Sequence, residues 1–465
     1  MRKGKVWELK RVTKDRIRTI GIFIALLAFF LGMFAIYGVG VYNDSEQYIT
    51  MHIHREPLYP LFLALFRVLA GPETGFVLAV IVQNVLTVCG IFFLIEYLRK
   101  KFSLNLAGEL VLLVLELMPH LVTRYVSALG IFLENSIMSE ALCIPLFQFF
   151  LLFTIRMIFE GKKADMVWSL VFAYLLSMTR GQMMTTILIW MVVAFLHFLG
   201  AKQYKKILLP ILAVLCVFGL RSLTVHTYNY FVTGYFMGNT YGQVNTLTNV
   251  IYACDREDGE VFEEGSLERQ FFDTFYEEAD ALMANYRYAK DAPEGEATYL
   301  EDHHDILKFQ VLESNLSMYY FGLGEVNYYQ QSSMSDEMAG AMLRRLLPAC
   351  FGQWLYDYLL LCRNGFIRSI AVVNKWINWA ALALYIVAAG LTVLLFLKDK
   401  KSGAVRVMGL AFLFIAANVC ATSLTIMCLS RYMIYGFSLF YMALFLVGVE
   451  WVPGFPLFRK KVSVE

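Results

Sequence analysis

The sequence predicts an all-α polytopic membrane protein with about ten transmembrane helices and an inserted, mainly helical extracytoplasmic module. Of its 465 residues, 58% are hydrophobic and 17% are charged, and its mean hydropathy is +0.57. A soluble globular domain is closer to about one-half apolar and one-quarter charged, so this chain has more apolar surface than water can solvate. The composition therefore excludes a cytosolic enzyme, a secreted disulfide scaffold and a disordered chain. The apolar segments and the basic clusters between them give two further indications.

The amino-terminal residues 1–19 form a basic tail with eight basic and two acidic residues. The apolar run that follows, from Ile20 to Tyr42, is too long for the core of a signal peptide and has no small-residue cleavage site. We therefore expect a first transmembrane helix whose amino end lies in the cytoplasm.

Nine further apolar segments follow this helix, and a basic cluster lies after every even-numbered one. These clusters extend from Arg99-Lys100-Lys101 after the second segment to Arg459-Lys460-Lys461 after the tenth. Because Lys and Arg collect on the cytoplasmic side, we expect ten crossings of the plasma membrane with both termini in the cytoplasm. The nine segments are 76–98, 104–118, 138–160, 165–179, 182–199, 206–227, 369–397, 404–427 and 431–450.

Three stretches are expected outside the membrane on its outer face. The loops 43–75 and 119–137 belong to the first transmembrane part, residues 20–227. The third stretch is the module 228–368, which precedes the carboxy-terminal crossings and the short cytoplasmic tail in 369–465. Any site built from these stretches would therefore face the outside of the cell.

Two of these stretches have predictable local structure. The apolar run Leu58–Leu69 in the first loop is too short to span a bilayer and indicates a re-entrant or interfacial helix. The module 228–368 holds 22 of the 38 acidic residues of the chain, and acids tolerate the outer face. Its apolar spacing predicts a helix over 267–289, a break at Pro293-Glu294-Gly295 and a helix over 339–361 that returns to the membrane.

The first outer loop begins with acidic residues, Asp44 and Glu46, directly after the first apolar segment. A carboxylate at the membrane surface, beside apolar groups, can have a raised pKa and act as a general base. Alternatively, Asp44 and Glu46 could share a divalent cation through oxygen ligands. A third interpretation is that both are solvated loop acids. Position alone does not decide between these three hypotheses.

The order of motifs around this loop is more specific. Asp44 and Tyr48 follow the first crossing, and Arg55 then precedes a Pro-Leu-Tyr-Pro segment, 57–60, that opens an apolar hairpin. A long segment ends in a basic cluster, a short one closes with Met118-Pro119, and Ser139-Glu140-Ala141-Leu142 begins the next. This order resembles the C-type glycosyltransferase superfamily, whose polytopic members take a sugar from a polyprenyl-phosphate carrier. Protein O-mannosyltransferases and the aminoarabinose transferase of lipid A are among them.

The resemblance implies a role for two acids. The acid of the first loop is the catalytic base in that family, and the acid that begins the fourth crossing lies in the same cavity. Asp44 and Glu140 match these positions. The chain departs from the aminoarabinose transferase because Arg55 precedes Glu56, and because its outer module is inserted between the seventh and eighth crossings. The further cavity candidates are Glu46, Tyr48, His54, Glu56, Tyr59, Arg124 and Tyr432.

A polyprenyl-phosphate donor requires cations at the outer membrane boundary, where they hold the phosphate and stabilise the charge that develops on it. Arginines occur at this boundary, although a basic residue at the outer end of a helix breaks the positive-inside trend. A single arginine at this boundary could bind lipid headgroups, but the presence of several arginines there favours a common anionic ligand. We expect Arg55, Arg180, Arg221 and Arg431 to bind the donor phosphate.

The expected function is transfer of a sugar from polyprenyl phosphate to an extracytoplasmic acceptor hydroxyl on a glycan, lipid or protein, with inversion. Two alternatives are a polysaccharide polymerase or ligase with a lipid-linked donor and a transporter or flippase for lipid-linked sugars. The sequence has no Gly-rich phosphate loop, which disfavours a nucleotide-sugar donor. It also has no basic, aromatic-rich patch of the kind that binds nucleic acid. No cofactor follows from the sequence, and a divalent metal at Asp44 and Glu46 stays open.

Overall fold

The computed structural model describes residues 2–127, 130–452 and 457–458, with side chains from residue 15 onward. The basic cluster Arg459-Lys460-Lys461 lies outside the described residues. Helices make up most of the described chain, which contains no β-strand. This confirms the prediction of an all-α membrane protein.

The bundle is formed by helices from both halves of the chain. The first half contributes α1 (Arg2–Tyr37), α2 (Ser45–Ile49), α3 (Leu58–Ala70), α4 (Pro72–Lys101), α5 (Leu106–Tyr125), α6 (Ser139–Glu160), α7 (Lys163–Ser177), α8 (Thr185–Gly200) and α9 (Leu208–Thr233). The inserted module is separate from the bundle and consists of α10 (Gly242–Ala253), α11 (Leu267–Ala281), α12 (Tyr286–Ala289), α13 (Glu296–Ile306), α14 (Ser314–Gly322), α15 (Tyr328–Ala349) and α16 (Phe351–Arg368). The last part contributes α17 (Lys375–Lys398), α18 (Gly403–Thr425), α19 (Ser430–Met433) and α20 (Tyr435–Trp451).

Shorter helical segments connect some of these helices. Four of them are 3-10 turns and one, between α13 and α14, is a π-helix. They are Leu133–Asn135, Gly181–Met184, Tyr204–Lys206, Arg256–Val261 and the π-helix Leu307–Glu313.

Eight helical segments of the described chain are long and apolar enough to cross a membrane. They lie within α1, α4, α5, α6, α8, α9, α17 and α18, two of them extended by an adjoining 3-10 turn. The helices α7 and α20, of 15 and 17 residues, are shorter. The protein is therefore a multi-pass membrane protein.

The two ends of the bundle differ in charge. The turns after α4, α6, α8 and α17 meet at one end, which we call the basic end. There Lys101 lies over the ring of Phe159, and Lys398 donates to the carbonyl of Trp451. The opposite end, which we call the module end, carries Asp44 and the inserted module. The structure thus separates the lysine-rich turns from the acidic loop across the length of the bundle.

The module 228–368 has an apolar core of its own, built around residues such as Phe272, Phe275 and Leu312. Its helix boundaries differ from those predicted. The helix expected over 267–289 ends at Ala281, because Met283 takes a positive φ of 55° and Asn285 begins a new helix by accepting from the backbone N–H of Arg287. The helix expected over 339–361 is interrupted at Cys350, which separates α15 from α16.

Two boundaries near the membrane also differ. The third crossing was expected to end at Met118, but α5 continues through Pro119 to Tyr125, so the outer loop begins later. A proline inside a membrane helix is tolerated when neighbouring groups satisfy the freed carbonyl. The eighth crossing was expected from 369, but α17 begins at Lys375, where Asn374 caps the backbone N–H of Trp376.

The helix α3 has the short, non-spanning length that the sequence predicts, with 13 residues. It turns sharply into α4 and packs along it. A Cβ on Gly75 would lie 2.7 Å from the carbonyl oxygen of Phe66 and from the Cα of Arg67. Only glycine permits this approach, which fixes the loop that carries Asp44 and Arg55 against the bundle.

Candidate functional site

Asp44 lies between two arginines at the module end. Its Oδ1 accepts from Nη2 of Arg55 at 2.9 Å, and its Oδ2 accepts from Nη1 of Arg431 at 2.7 Å. Arg55 follows α2 in the same loop as Asp44. Arg431 belongs to α19 and lies 387 residues after Asp44 in the chain. The side chain of Asp44 is 25% exposed, so the cluster lies at an accessible surface.

The backbone before Asp44 is held by the bundle. Gly40 donates to the carbonyl of Asn135 at 2.8 Å, and its own carbonyl accepts from Ile137 at 2.8 Å. This short bridge joins the exit of α1 to the loop that leads into α6. The next acid of the site, Glu140, begins α6, and the bridge therefore sets the spacing of the two acids.

Glu140 is fully buried and forms the second ion pair of the site. Its Oε1 lies 2.6 Å from Nη1 of Arg180 and 3.8 Å from Nε of Arg431. Arg431 therefore lies between Asp44 and Glu140 and contacts both. Three guanidinium groups and two carboxylates form one cluster, which we call the arginine–acid cluster: Asp44, Arg55, Glu140, Arg180 and Arg431.

The electrostatics of Asp44 differ from the sequence-based expectation. Burial alone raises the pKa of Asp44, but the guanidinium groups of Arg55, Arg431 and Arg180 together hold it below its ordinary value. The expectation of a raised pKa is wrong in this arrangement, because the arginines that were expected to bind a phosphate pair with Asp44 itself. As arranged here, Asp44 is an anion and a weak proton acceptor.

Tyrosines hold the arginines of the cluster in place. The Tyr48 hydroxyl accepts from Nη1 of Arg55 at 3.3 Å and shares a 2.8 Å hydrogen bond with Ser139, beside Glu140. Tyr59 is fully buried and packs edge-on against Tyr48, with ring centroids 5.2 Å apart. Tyr59 therefore supports the site from below.

Tyr432 lies next to Arg431 on α19 and faces two guanidinium groups. Its ring centroid is 4.9 Å from the guanidinium carbon of Arg180 and 5.1 Å from that of Arg431. A cation over an aromatic face is stabilised by the ring quadrupole. Tyr432 thus keeps two neighbouring cations close together, although they repel each other.

A separate ion pair joins Glu56 to Arg221. Glu56 accepts from Nη2 of Arg221, and the Glu56 carboxylate lies 3.3 Å from where a Cβ on Gly181 would be. Gly181 follows Arg180, so this pair lies beside the cluster. Arg221 was expected to bind the donor phosphate together with the other arginines, but the structure pairs it with Glu56, and it forms no ion pair with Asp44 or Glu140.

Arg124 and Glu46 are not brought into the cluster. The guanidinium of Arg124 lies 4.4 Å from the ring centroid of Tyr37 and donates to the carbonyl of Gly130. Glu46 is exposed on α2. Among the described residues, no three His, Cys, Asp or Glu side chains could hold a metal ion. Since both oxygens of Asp44 also face guanidinium groups, these donors do not fit the divalent cation that Asp44 and Glu46 could have shared.

His54 connects the first loop to the module. Its ring stacks on Tyr241 with centroids 4.3 Å apart, its Nδ1 lies 3.0 Å from the hydroxyl of Thr240, and its Nε2 lies 3.1 Å from that of Tyr328. Burial, together with the nearby positive charge of Arg55, lowers the pKa of His54 well below its ordinary value. A neutral His54 thus fastens the module over the cluster.

Sequence reasoning missed Lys308, which the π-helix Leu307–Glu313 carries to the same place. Lys308 is 4% exposed, and its ammonium lies 3.9 Å from the ring centroid of Tyr241. Burial lowers the pKa of Lys308 to about 8, and the charges of Asp44 and Arg55 are close enough to influence it. No described residue forms a hydrogen bond or ion pair with this ammonium. π-Helices occur frequently at functional sites.

Tyr241 is strained at this junction, because it is a bulky residue with a positive φ of 95°. Its backbone N–H donates to Asp336 at 3.0 Å, which holds the turn before α10 in this conformation. One signal in the sequence could have directed attention to this region: Lys308 is one of only two lysines in 228–368.

The arrangement is suited to binding an anion beside an acid. Three guanidinium groups exceed two carboxylates by one positive charge, and Lys308 adds a further cation from the module.

Comparison of the chain with protein-family models, with curated proteins and with solved structures gave no match.

Proposed function

We propose that this protein is an integral-membrane glycosyltransferase that moves a sugar from a polyprenyl-phosphate carrier to an extracytoplasmic acceptor hydroxyl, with inversion. The observation that carries the proposal is the arginine–acid cluster at the module end. It gathers Arg55, Arg180 and Arg431 from three separate parts of the chain around Asp44 and Glu140. A cationic group of this kind suits a phosphate diester, because guanidinium forks match phosphate oxygens.

The topology of this proposal has ten crossings, the eight long apolar segments together with α7 and α20. The basic end lies in the cytoplasm by the positive-inside rule, which places the cluster at the outer face of the plasma membrane. A lipid-linked donor reaches such a site from the outer leaflet. The acceptor then comes from outside the cell.

Donor binding would also activate the base. In the free protein the guanidinium groups of Arg55 and Arg431 hold Asp44 as a weak base. When they turn to the donor phosphate, the carboxylate loses its partners and its proton affinity rises. Asp44 then accepts the proton of the acceptor hydroxyl as the hydroxyl oxygen bonds to the anomeric carbon. The bond from that carbon to the phosphate oxygen breaks, and its electron pair leaves on the phosphate, where the arginines stabilise the charge.

Glu140 has a supporting role in this scheme. Its ion pair with Arg180 and its proximity to Arg431 keep two arginines aimed at one place. The pair is shielded from solvent, so a lost partner would leave a buried charge uncompensated. We therefore assign Glu140 to positioning the arginines.

The proposal is tested with purified protein in lipid nanodiscs and a panel of polyprenyl-phosphate sugars, by measuring release of the free carrier phosphate in the presence of acceptor mixtures. We expect release from at least one donor, and its loss in Asp44→Asn but not in the neighbouring Glu46→Gln. A polysaccharide polymerase or ligase would release carrier while extending a glycan. Movement of intact donor across the bilayer without release would identify a flippase and refute the proposal.

A further inference from the structure

The inserted module contains a cavity that is separate from the arginine–acid cluster. It has a volume of about 320 Å³, within the range of small-molecule sites. Its walls come from α10, α12, α13 and α16, and its lining includes three tyrosines, Tyr252, Tyr286 and Tyr356. None of the residues of the cluster lines it.

Two buried polar atoms of this lining have no hydrogen-bond partner among the residues that the structure describes. Asp357 is 6% exposed and its Oδ1 accepts from Gln353 at 2.9 Å, but its Oδ2 has no partner. The hydroxyl of Tyr252, which is 1% exposed, also has none. A buried polar group without a partner costs about 1–3 kcal/mol, so a ligand that pairs with both of these atoms would be stabilised in the cavity.

The chemistry of the lining defines the ligand. The carboxylate oxygen of Asp357 requires a donor, and the hydroxyl of Tyr252 can donate or accept. A ligand with hydroxyl groups meets both requirements, since each hydroxyl donates and accepts. The tyrosine rings supply apolar walls against which the C–H face of a sugar ring can pack. Gln353 adds an amide that already fixes the orientation of Asp357.

An organic cation fits less well. The ammonium of Lys290 lies 5.7 Å from the ring centroid of Tyr286, so one aromatic face of the cavity already has a cation. Glu296 also lines the cavity and has the opposite charge, so Lys290 and Glu296 together contribute no net charge to the lining. Burial also raises the pKa of Asp357 to about 7, so near neutral pH its carboxyl group is only partly charged.

We propose that this cavity, lined by Tyr252, Tyr286, Gln353, Tyr356 and Asp357, is a saccharide-binding site of the module. Under the proposed function it would hold a unit of a glycan acceptor, and that use rests on the proposed function. Saccharide binding itself does not depend on it, because the cavity and the arginine–acid cluster share no residue.

Saturation-transfer-difference NMR on the full chain in nanodiscs tests the site, with methyl glycosides of glucose, galactose, mannose and N-acetylglucosamine and their β-linked disaccharides as probes. We expect at least one neutral saccharide to bind. Tyr252→Phe removes only the unpartnered hydroxyl, and Tyr356→Ala removes a ring at the rim, so each should lower the affinity about ten-fold. Tyr320→Phe, a buried tyrosine outside the cavity, is the matched control and should leave the affinity unchanged.

The site is refuted if no saccharide of the panel binds, or if binding is insensitive to both cavity variants. It is also refuted if tetramethylammonium competes for the site more strongly than every saccharide. Carrier release measured on the same samples separates the two proposals. Binding that depends on the cavity, in a protein that releases no carrier from any donor, would refute the proposed function and leave this site standing.

Discussion

At the residue scale, the central feature is that the candidate base is paired with the cations expected to bind the substrate. Asp44 contacts Arg55 and Arg431, and these contacts lower its pKa. The same arginines cannot fully neutralise Asp44 and hold a phosphate at once. Under the proposed function, donor binding and base activation are therefore coupled through shared guanidinium groups, and substitutions at the cluster should separate the two.

Asp44→Asn should lower turnover by about 10²–10⁴-fold, the usual contribution of a general base. Donor affinity should remain equal or rise by a few-fold, because the arginines no longer share a carboxylate with the phosphate. Single-turnover rates and equilibrium binding of a donor measure the two effects separately. Near-normal turnover in Asp44→Asn, with Glu46→Gln as the reference, would remove Asp44 from the mechanism.

Arg431→Ala should weaken donor binding or turnover by about one to two decades, because a charge-assisted contact contributes roughly 1.5–3 kcal/mol. Arg431→Lys should recover only part of the lost donor binding or turnover, because an ammonium cannot contact Asp44 and Glu140 together as the guanidinium does. Arg124→Ala is the matched control, because Arg124 lies at the same end but contacts Tyr37 and Gly130. Equal effects of Arg431→Ala and Arg124→Ala would show that both arginines only anchor the protein to headgroups.

Under the proposed function, we expect Lys308 to give the donor affinity a specific pH dependence. The pKa of Lys308 is lowered to about 8, so its ammonium is present below this pH and is lost as the pH rises through it. Donor affinity of the wild type should fall between pH 7 and pH 9. Lys308→Arg stays charged and should abolish the decline, and Lys308→Met should bind weakly at both pH values. A wild-type decline that persists in Lys308→Met would assign the titration to another group.

At the element scale, the tight turn from α3 to α4 positions the loop of Asp44. A Cβ on Gly75 would lie 2.7 Å from the backbone of α3, which is rigid and cannot move aside cheaply. Gly75→Ala should therefore destabilise the protein by about 1–3 kcal/mol through overpacking. The control variant is Gly219→Ala, because a Cβ at this position on α9 meets no atom within 4 Å. Thermal unfolding in detergent compares the stability of the two variants. Unchanged stability of Gly75→Ala would show that the two helices can separate freely.

The module is also an element of the site, because one of its segments reaches the cluster. The π-helix Leu307–Glu313 and the strained turn at Tyr241 bring Lys308 and an aromatic ring beside His54. Neither feature follows from apolar periodicity, since a π-helix shifts the register by local insertion. The prediction of a mainly helical, acid-rich module therefore leaves out the contribution of the module to the site.

At the scale of the whole molecule, the two ends of the bundle should lie on opposite sides of the membrane. In a cysteine-free background, an impermeant maleimide should label a cysteine placed at position 294 in intact cells. It should label a cysteine at position 400 only after permeabilisation, because the positive-inside rule predicts that the basic turns lie in the cytoplasm. The reverse pattern would place the arginine–acid cluster in the cytoplasm and refute the use of a donor from the outer leaflet.

The sequence alone determined the all-α membrane class, the order of the long apolar helices and the separation of basic turns from the acidic loop. These features are local, because segment length and the charge of each connection can be read without knowing any contact. The pairing of Asp44 with Arg55 is also local, because both residues belong to the same loop. Only the tertiary structure decided that Arg431 joins them from 387 residues away, and that Arg221 and Arg124 turn to other partners. Lys308 likewise enters the site only through the packing of the module on the bundle. Such contacts depend on how helix faces pack and rotate against each other, which the hydrophobic pattern leaves undetermined.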